Sequence, residues 1–163
     1  MLRIGNGRAH LHQQIAIIAN TDVVLAGEAV VTLSQTSPML EDSTWGTVID
    51  LSEKNIVVSG QARLCVQDIA LVNGHTVGTV AGGGALQVQN AHLKMSRCRI
   101  ENCASEDDGG AVALYYGSHA MLSWCVFRNN VAARDGSGGA MFLWEGSGVA
   151  MLHCLVSGNK ASW

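Results

Sequence analysis

Three copies of Gly-Gly-Ala constrain this chain more than any other feature: Gly83-Gly84-Ala85, Gly109-Gly110-Ala111 and Gly138-Gly139-Ala140. Their starts lie 26 and then 29 residues apart, and each is followed at near-constant distance by a cysteine and an asparagine. When the copies are aligned, Leu86 and Val88, Val112 and Leu114, and Met141 and Leu143 fall in register, with unlike residues between them. Uniform residues alternating with variable ones have a strand period, with the uniform set facing inward. The variable set (Gln87, Gln89, Ala113, Tyr115, Phe142, Trp144) is expected to face outward. On that assignment Leu122→Asp is severe and Ala113→Asp mild.

A second pattern follows each small corner, apolar-x-apolar-x-x-Cys-x-apolar. It is filled by Leu93, Met95, Cys98 and Ile100, by Ala120, Leu122, Cys125 and Phe127, and by Val149, Met151, Cys154 and Val156. Each run reaches an asparagine and an alanine at Asn102 and Ala104, Asn130 and Ala132, and Asn159 and Ala161. Recurrence of whole columns is what stacked coils require, since rungs about 4.8 Å apart set like residue over like. The pattern predicts an all-β fold, a single-stranded right-handed parallel β-helix (β-solenoid) of about six coils with three short strands each. Cys98, Cys125, Cys154, Asn102, Asn130 and Asn159 are its expected structural ladder. The glycine pairs and asparagines suit tight corners and left-handed backbone.

The first half carries a looser version. Val23 to Leu33 matches Ile56 to Val66 at an offset of 33 residues, and Ile15, Ile17 and Ile18 are expected in a first coil or cap. Two stretches break the period: Ser34 to Gly46, with Pro38, Glu41, Asp42 and Trp45, reads as a loop insertion (residues 34–46), and Asn73 to Gly82 as a shorter loop. Residues 1–163 are expected to form one domain. The repeat stops after Asn159-Lys160-Ala161 where another Gly-Gly-Ala is due, which predicts a fragment or a subunit associating end to end through an uncapped C-terminal coil. No apolar run reaches membrane-spanning length, and Met1 to Gly7 lacks the layout of a signal peptide. A formal net charge of −3 with no basic stripe argues against nucleic acid as a partner.

The five cysteines have no zinc-ligand spacing. Cys98, Cys125 and Cys154 are expected as free inward thiols, Cys65 as outward and Cys103 at a corner. No metal and no cofactor is expected.

Gly-Gly-Ala followed by Leu, Val or Met, together with Phe127-Arg128-Asn129-Asn130, resembles the GGA(I/L/V) and FxxN repeats of chlamydial polymorphic outer-membrane proteins. Partial FxxN elements stand at Val156-Ser157-Gly158-Asn159 and Arg99-Ile100-Glu101-Asn102. The resemblance covers the second half and implies a surface-exposed passenger region used for adhesion, carried on an autotransporter barrel.

Two functional readings follow. In the first, the chain is a non-catalytic structural or adhesion-type interaction module. Its outward column Gln89, Tyr115 and Trp144, adjoined by Tyr116 and Glu145, would offer flat apolar faces with polar neighbours to a glycan or protein partner. The alternative is a polysaccharide-active lyase or glycoside hydrolase, or its degenerate remnant, since Asn20-Thr21-Asp22, Gly74-His75 and Asp107-Asp108 superficially resemble polygalacturonase elements. Paired catalytic carboxylates belong about 6.5 to 9.5 Å apart, whereas Asp22 and Asp108 are expected about three coils from each other. No catalytic residue is therefore assigned. Arg97, Trp124 and His153 form a second outward column with the makings of a cation-π stack, and His92 and His119 a third. Asp107, Asp108 and Glu106 would be the carboxylates to meet a calcium ion.

Overall fold

The computed structural model describes residues 2–4, 7–10, 15–17, 22–27, 47–78 and 82–162. Among these the chain forms only strands. The first five are β1 (Leu2–Ile4), β2 (Gly7–His10), β3 (Ile15–Ile17), β4 (Asp22–Gly27) and β5 (Thr47–Asp50). Four full turns follow. One holds β6 (Ile56–Ser59), β7 (Arg63–Gln67), β8 (Ala70–Val72) and β9 (His75–Thr76). The next holds β10 (Leu86–Gln89), β11 (His92–Ser96), β12 (Arg99–Glu101) and β13 (Ala104–Ser105). Then come β14 (Val112–Tyr115), β15 (His119–Ser123), β16 (Val126–Arg128) and β17 (Val131–Ala132). The last rung is β18 (Met141–Leu143), β19 (Gly148–Leu152), β20 (Leu155–Ser157) and β21 (Lys160–Ala161).

Strands of successive turns pair in parallel, giving sheets ordered β1-β4-β7-β11-β15-β19, β18-β14-β10-β6-β3, β2-β5-β8-β12-β16-β20 and β21-β17-β13-β9. The molecule is a β-solenoid of about four turns. Each full turn has a fourth, two-residue strand beyond the three expected, and β9 lies within the stretch from Asn73 to Gly82 that reads as a loop in the sequence. The insertion at residues 34–46 lies outside the described residues, as does Ile18.

Stacking follows the repeat where the repeat is sharpest. Leu86 pairs with Val112 and Val112 with Met141, while Leu93, Ala120 and Val149 share a column one strand later. The inward set Leu93, Met95, Cys98, Ile100, Ala120, Leu122, Cys125 and Phe127 is buried in one continuous core. In the first half the register differs from the sequence match. Ile15 pairs with Ile56 and Val23 with Leu64, an offset of 41 rather than 33. Val23-Val24-Leu25 thus stacks on the second strand of the next turn, and β-branched runs of similar composition on different strands account for the mistaken alignment.

The two glycines of each Gly-Gly-Ala do different things. Gly83, Gly109 and Gly138 have φ of +92°, +68° and +71°, a left-handed backbone that side-chain-bearing residues resist. Gly84, Gly110 and Gly139 sit where a Cβ would stand 2.3 Å or 2.2 Å from the next rung's carbonyl, or 2.4 Å from the Lys160 carbonyl carbon. The first turns the chain; the second lets two backbones cross. This turn folds back over the outer face of the strand it precedes, so a Cβ on Gly109 would lie 3.0 Å from that of Ala113. Gln87 and Ala113 are consequently buried, contrary to the outward exposure expected of them.

The asparagine ladder is also shifted by one residue at its first member. Glu101 pairs with Arg128 and Ala104 with Val131, so Asn102 stands level with Asn129 and Cys103 with Asn130. Asn73, Asn102 and Asn129 are left-handed corner residues at φ +58°, +54° and +55°. The inward ladder is Gly74, Cys103, Asn130 and Asn159. Gly74 N–H donates to Cys103 Sγ at 3.3 Å, Cys103 N–H to Asn130 Oδ1 at 3.0 Å and Asn130 N–H to Asn159 Oδ1 at 2.9 Å. Each side chain caps the amide one turn back, satisfying a corner donor that neither sheet pairs. Asn102 has no part in it, because an extra residue at the preceding Gly117-Ser118 corner and its loss at Asn129-Asn130 offset one another in spacing but not in register.

Candidate functional site

The outer face of β10, β14 and β18 carries the aromatic residues. Gln89 pairs directly with Tyr115, and the Trp144 amide bonds to the Leu114 carbonyl at 2.9 Å, which sets Trp144 on the same column one rung on. Tyr116 and Glu145 follow at the corner, both left-handed at φ +57° and +46°. The expected grouping of Gln89, Tyr115, Tyr116, Trp144 and Glu145 is therefore brought together on one face. Phe142 completes it, with its ring centroid 5.9 Å from Tyr115 and 6.0 Å from Trp144, nearly parallel to the latter at 15°. Tyr115 and Tyr116 are 6.1 Å apart. Phe142 shows the same outward phase as Trp144 in the sequence, and that phase was the signal for including it.

Exposure is graded across the strip. Tyr116 and Trp144 are 57% and 53% exposed, whereas Tyr115 and Phe142 are half-buried and support them. Tyr115 is fixed at its far end, where its hydroxyl oxygen accepts the Gly82 N–H at 3.0 Å. Burial pushes the Tyr115 phenol above its usual range, the Gly82 bond opposes this, and the carboxylates of Asp108 and Asp107 add to it. An aromatic pair of this kind contributes about 0.5–1.5 kcal/mol beyond its area, so the strip holds its own shape without a ligand.

Cys98, Cys125 and Cys154 stand in one inward column as free thiols, and Cys65 and Cys103 are free as well. Their sulfurs donate to the carbonyl two residues back: Cys98 to Ser96 at 3.2 Å, Cys125 to Ser123 at 3.3 Å, Cys154 to Leu152 at 3.4 Å and Cys103 to Glu101 at 3.3 Å. Burial raises the Cys98 thiol well above its ordinary value and pushes Cys103 up to about 12. These are packing groups held in the thiol form, not nucleophiles.

Other candidates resolve into structural pairs. Arg97 makes a two-pronged bond to Asp68 on the preceding turn at 2.6 and 2.9 Å, and Trp124 stacks on His153 with centroids 4.2 Å apart. His92 and His119 stack at 6.1 Å. Glu106 pairs with Arg134 at 3.2 Å, and Asp108 accepts the Ser137 N–H at 2.7 Å, so two of the three carboxylates considered for calcium bridge neighbouring turns. No group of three or more His, Cys, Asp or Glu with metal-holding geometry occurs among the described residues. Asp22 begins β4, while Asp108 lies on the turn between β13 and β14; the β7 and β11 rungs and a sheet corner separate them. Asn20, Thr21, Pro38, Glu41, Asp42 and Trp45 fall outside the described residues. No helix among the described residues is long and apolar enough to cross a membrane. Compared with protein-family models, curated proteins and solved structures, the chain matches none of them.

Proposed function

We propose that this protein is a non-catalytic interaction module in which the solenoid is a rigid support and the strip formed by Tyr115, Tyr116, Phe142 and Trp144, flanked by Gln89 and Glu145, receives a glycan or protein partner. The observation that carries the reading is the contiguity of four rings over adjacent strands, with the two outermost more than half exposed. A strip on a regular sheet is preorganised, so binding orders little of the protein. The adhesion-type role within this proposal comes from the GGA and FxxN resemblance to chlamydial polymorphic outer-membrane proteins. The coil is taken to be right-handed, the hand of nearly all parallel crossovers, and to number six rungs, the depth of its two longest sheets.

The test is a glycan array and a peptide array read with the parent protein and with Trp144→Ala. The variant is expected to lose binding while keeping the parent's far-ultraviolet circular dichroism and melting temperature. Binding that survives Trp144→Ala would remove the strip from the proposal. Turnover of a polysaccharide that Asp108→Asn abolishes would replace the proposal with the enzymatic alternative.

A further inference from the structure

The strip sits in a setting of one charge sign. β10, β14 and β18 contain no Lys or Arg. On one side the strip meets the turn bearing Asp107 and Asp108. Tyr115 accepts the Gly82 N–H, and the Gly82 backbone is so close to Asp108 that a Cβ there would lie 1.7 Å from the Asp108 carbonyl oxygen. On the other side Glu145 follows Trp144 directly and is exposed. The nearest cation in the acidic turn's own neighbourhood, Arg134, is committed to Glu106. Asp108 spends one oxygen on the Ser137 amide, and the Glu145 carboxylate has no protein partner among the described residues. Aromatic faces attract cations through their quadrupole, and flanking carboxylates add a favourable field for the same ligand. A neutral sugar gains nothing from that field.

Resting on the reading above that this strip is the binding face, we infer that its partner is an arginine-bearing extended polypeptide segment. Arginine fits better than lysine because its planar guanidinium stacks flat on Trp144 or Tyr116 while its N–H groups reach Glu145 and the Asp108 side. Successive residues of an extended chain present side chains to one face at a spacing close to that between the two rims of the strip.

The experiment titrates the full chain with a fluorescent alternating Arg-Gly peptide, its Lys-Gly and Glu-Gly counterparts, and cellohexaose. The Arg-Gly peptide is expected to bind more tightly than the Lys-Gly peptide and the Glu-Gly peptide not at all. Glu145→Gln and Asp108→Asn should each weaken Arg-Gly binding about threefold, and Trp144→Ala about tenfold. Asp108→Asn keeps an acceptor for the Ser137 amide, so folding is preserved. Glu53→Gln, an exposed carboxylate on the turn after β5, is expected to leave binding unchanged. Equal weakening by Glu53→Gln and Glu145→Gln would reduce the effect to overall charge and overturn the inference. Binding of cellohexaose but not of the Arg-Gly peptide, lost in Trp144→Ala, would overturn the arginine assignment while leaving the binding face intact. Binding of neither probe would overturn the arginine assignment, and the arrays above then decide separately whether the face binds at all.

Discussion

Asn130 shows how much one side chain holds in a coil stack. It is fully buried, accepts the Cys103 N–H, and donates through Nδ2 to the Ile100 carbonyl at 3.1 Å and to Asn159 Oδ1 at 2.9 Å. Asn130→Ala would strand a buried amide and a buried carbonyl, and each orphan costs about 1–3 kcal/mol. A loss of about 3 kcal/mol in urea unfolding is therefore expected. Asn102, although it is asparagine in the sequence position that seemed equivalent, is exposed and left-handed. Asn102→Gly is expected to change stability by less than about 1 kcal/mol, and a larger loss there than at Asn130 would show that the ladder has been assigned to the wrong column. The thiols make a different contribution. Cys103 titrates at about 12 in the fold against an ordinary 9.0, and Cys98 and Cys154 are also raised by burial. Above pH 9 the unfolded chain releases these protons while the folded one keeps them, so the unfolded state binds fewer protons and stability falls as pH rises. Unfolding followed from pH 8 to pH 11 should show that decline, flattened in Cys103→Ala relative to the parent after both are normalised to pH 8. A pH-independent difference between the two would contradict the burial of this thiol.

At the scale of the strand, side-chain alternation and solvent exposure come apart. β14 alternates in phase as the sequence indicates, yet Ala113, on its outer side, is as inaccessible as Leu122 on the inner side of β15. The cause is the left-handed first glycine of each Gly-Gly-Ala, which lays the incoming backbone across the strand's outer face. Ala113→Asp is accordingly expected to cost several kcal/mol, about as much as Leu122→Asp, because both bury an unpaired carboxylate. A mild Ala113→Asp would mean that the covering turn opens readily. Strand identity and inward columns were legible in the second half because stacking demands the same residue class at the same point of every turn. Three things were not. The fourth strand, two residues long in β9, β13, β17 and β21, is too short to carry a period. The asparagine column was obscured because cysteine can accept an amide bond as asparagine does, so Cys103 fills the ladder under another letter. The covering of Ala113 depends on backbone angles, which a repeat of Gly reports only as permission. The aromatic strip was legible in Tyr115, Tyr116 and Trp144 because outward columns need only the correct phase; Phe142 was legible in phase but not in its contacts.

For the molecule as a whole, each rung contacts only its neighbours, so stability is close to a sum of rung and interface terms. The rungs are not equivalent in this respect. Leu122 and Phe127 are 3% and 0% exposed, whereas Met151 and Val156, one rung further along the same columns, are 40% and 49% exposed. The β18–β21 rung thus keeps its hydrogen bonds to β14–β17 but has apolar cover on one side only. Local opening of such a unit costs little compared with opening a rung covered on both sides. Hydrogen exchange by mass spectrometry should therefore find backbone amides of residues 141–161 exchanging at least about tenfold faster than those of residues 86–105, a difference of about 1.4 kcal/mol in opening free energy. The aromatic strip spans this boundary, with Tyr115 and Tyr116 on the protected side and Phe142 and Trp144 on the opening rung. A ligand that bridges Tyr116 and Trp144 must then slow exchange in residues 141–161 more than in residues 86–105, since it binds the closed rung and not the open one. Slowing confined to residues 86–105, or spread evenly over the chain, would separate ligand binding from Trp144 and leave the strip without its outermost ring.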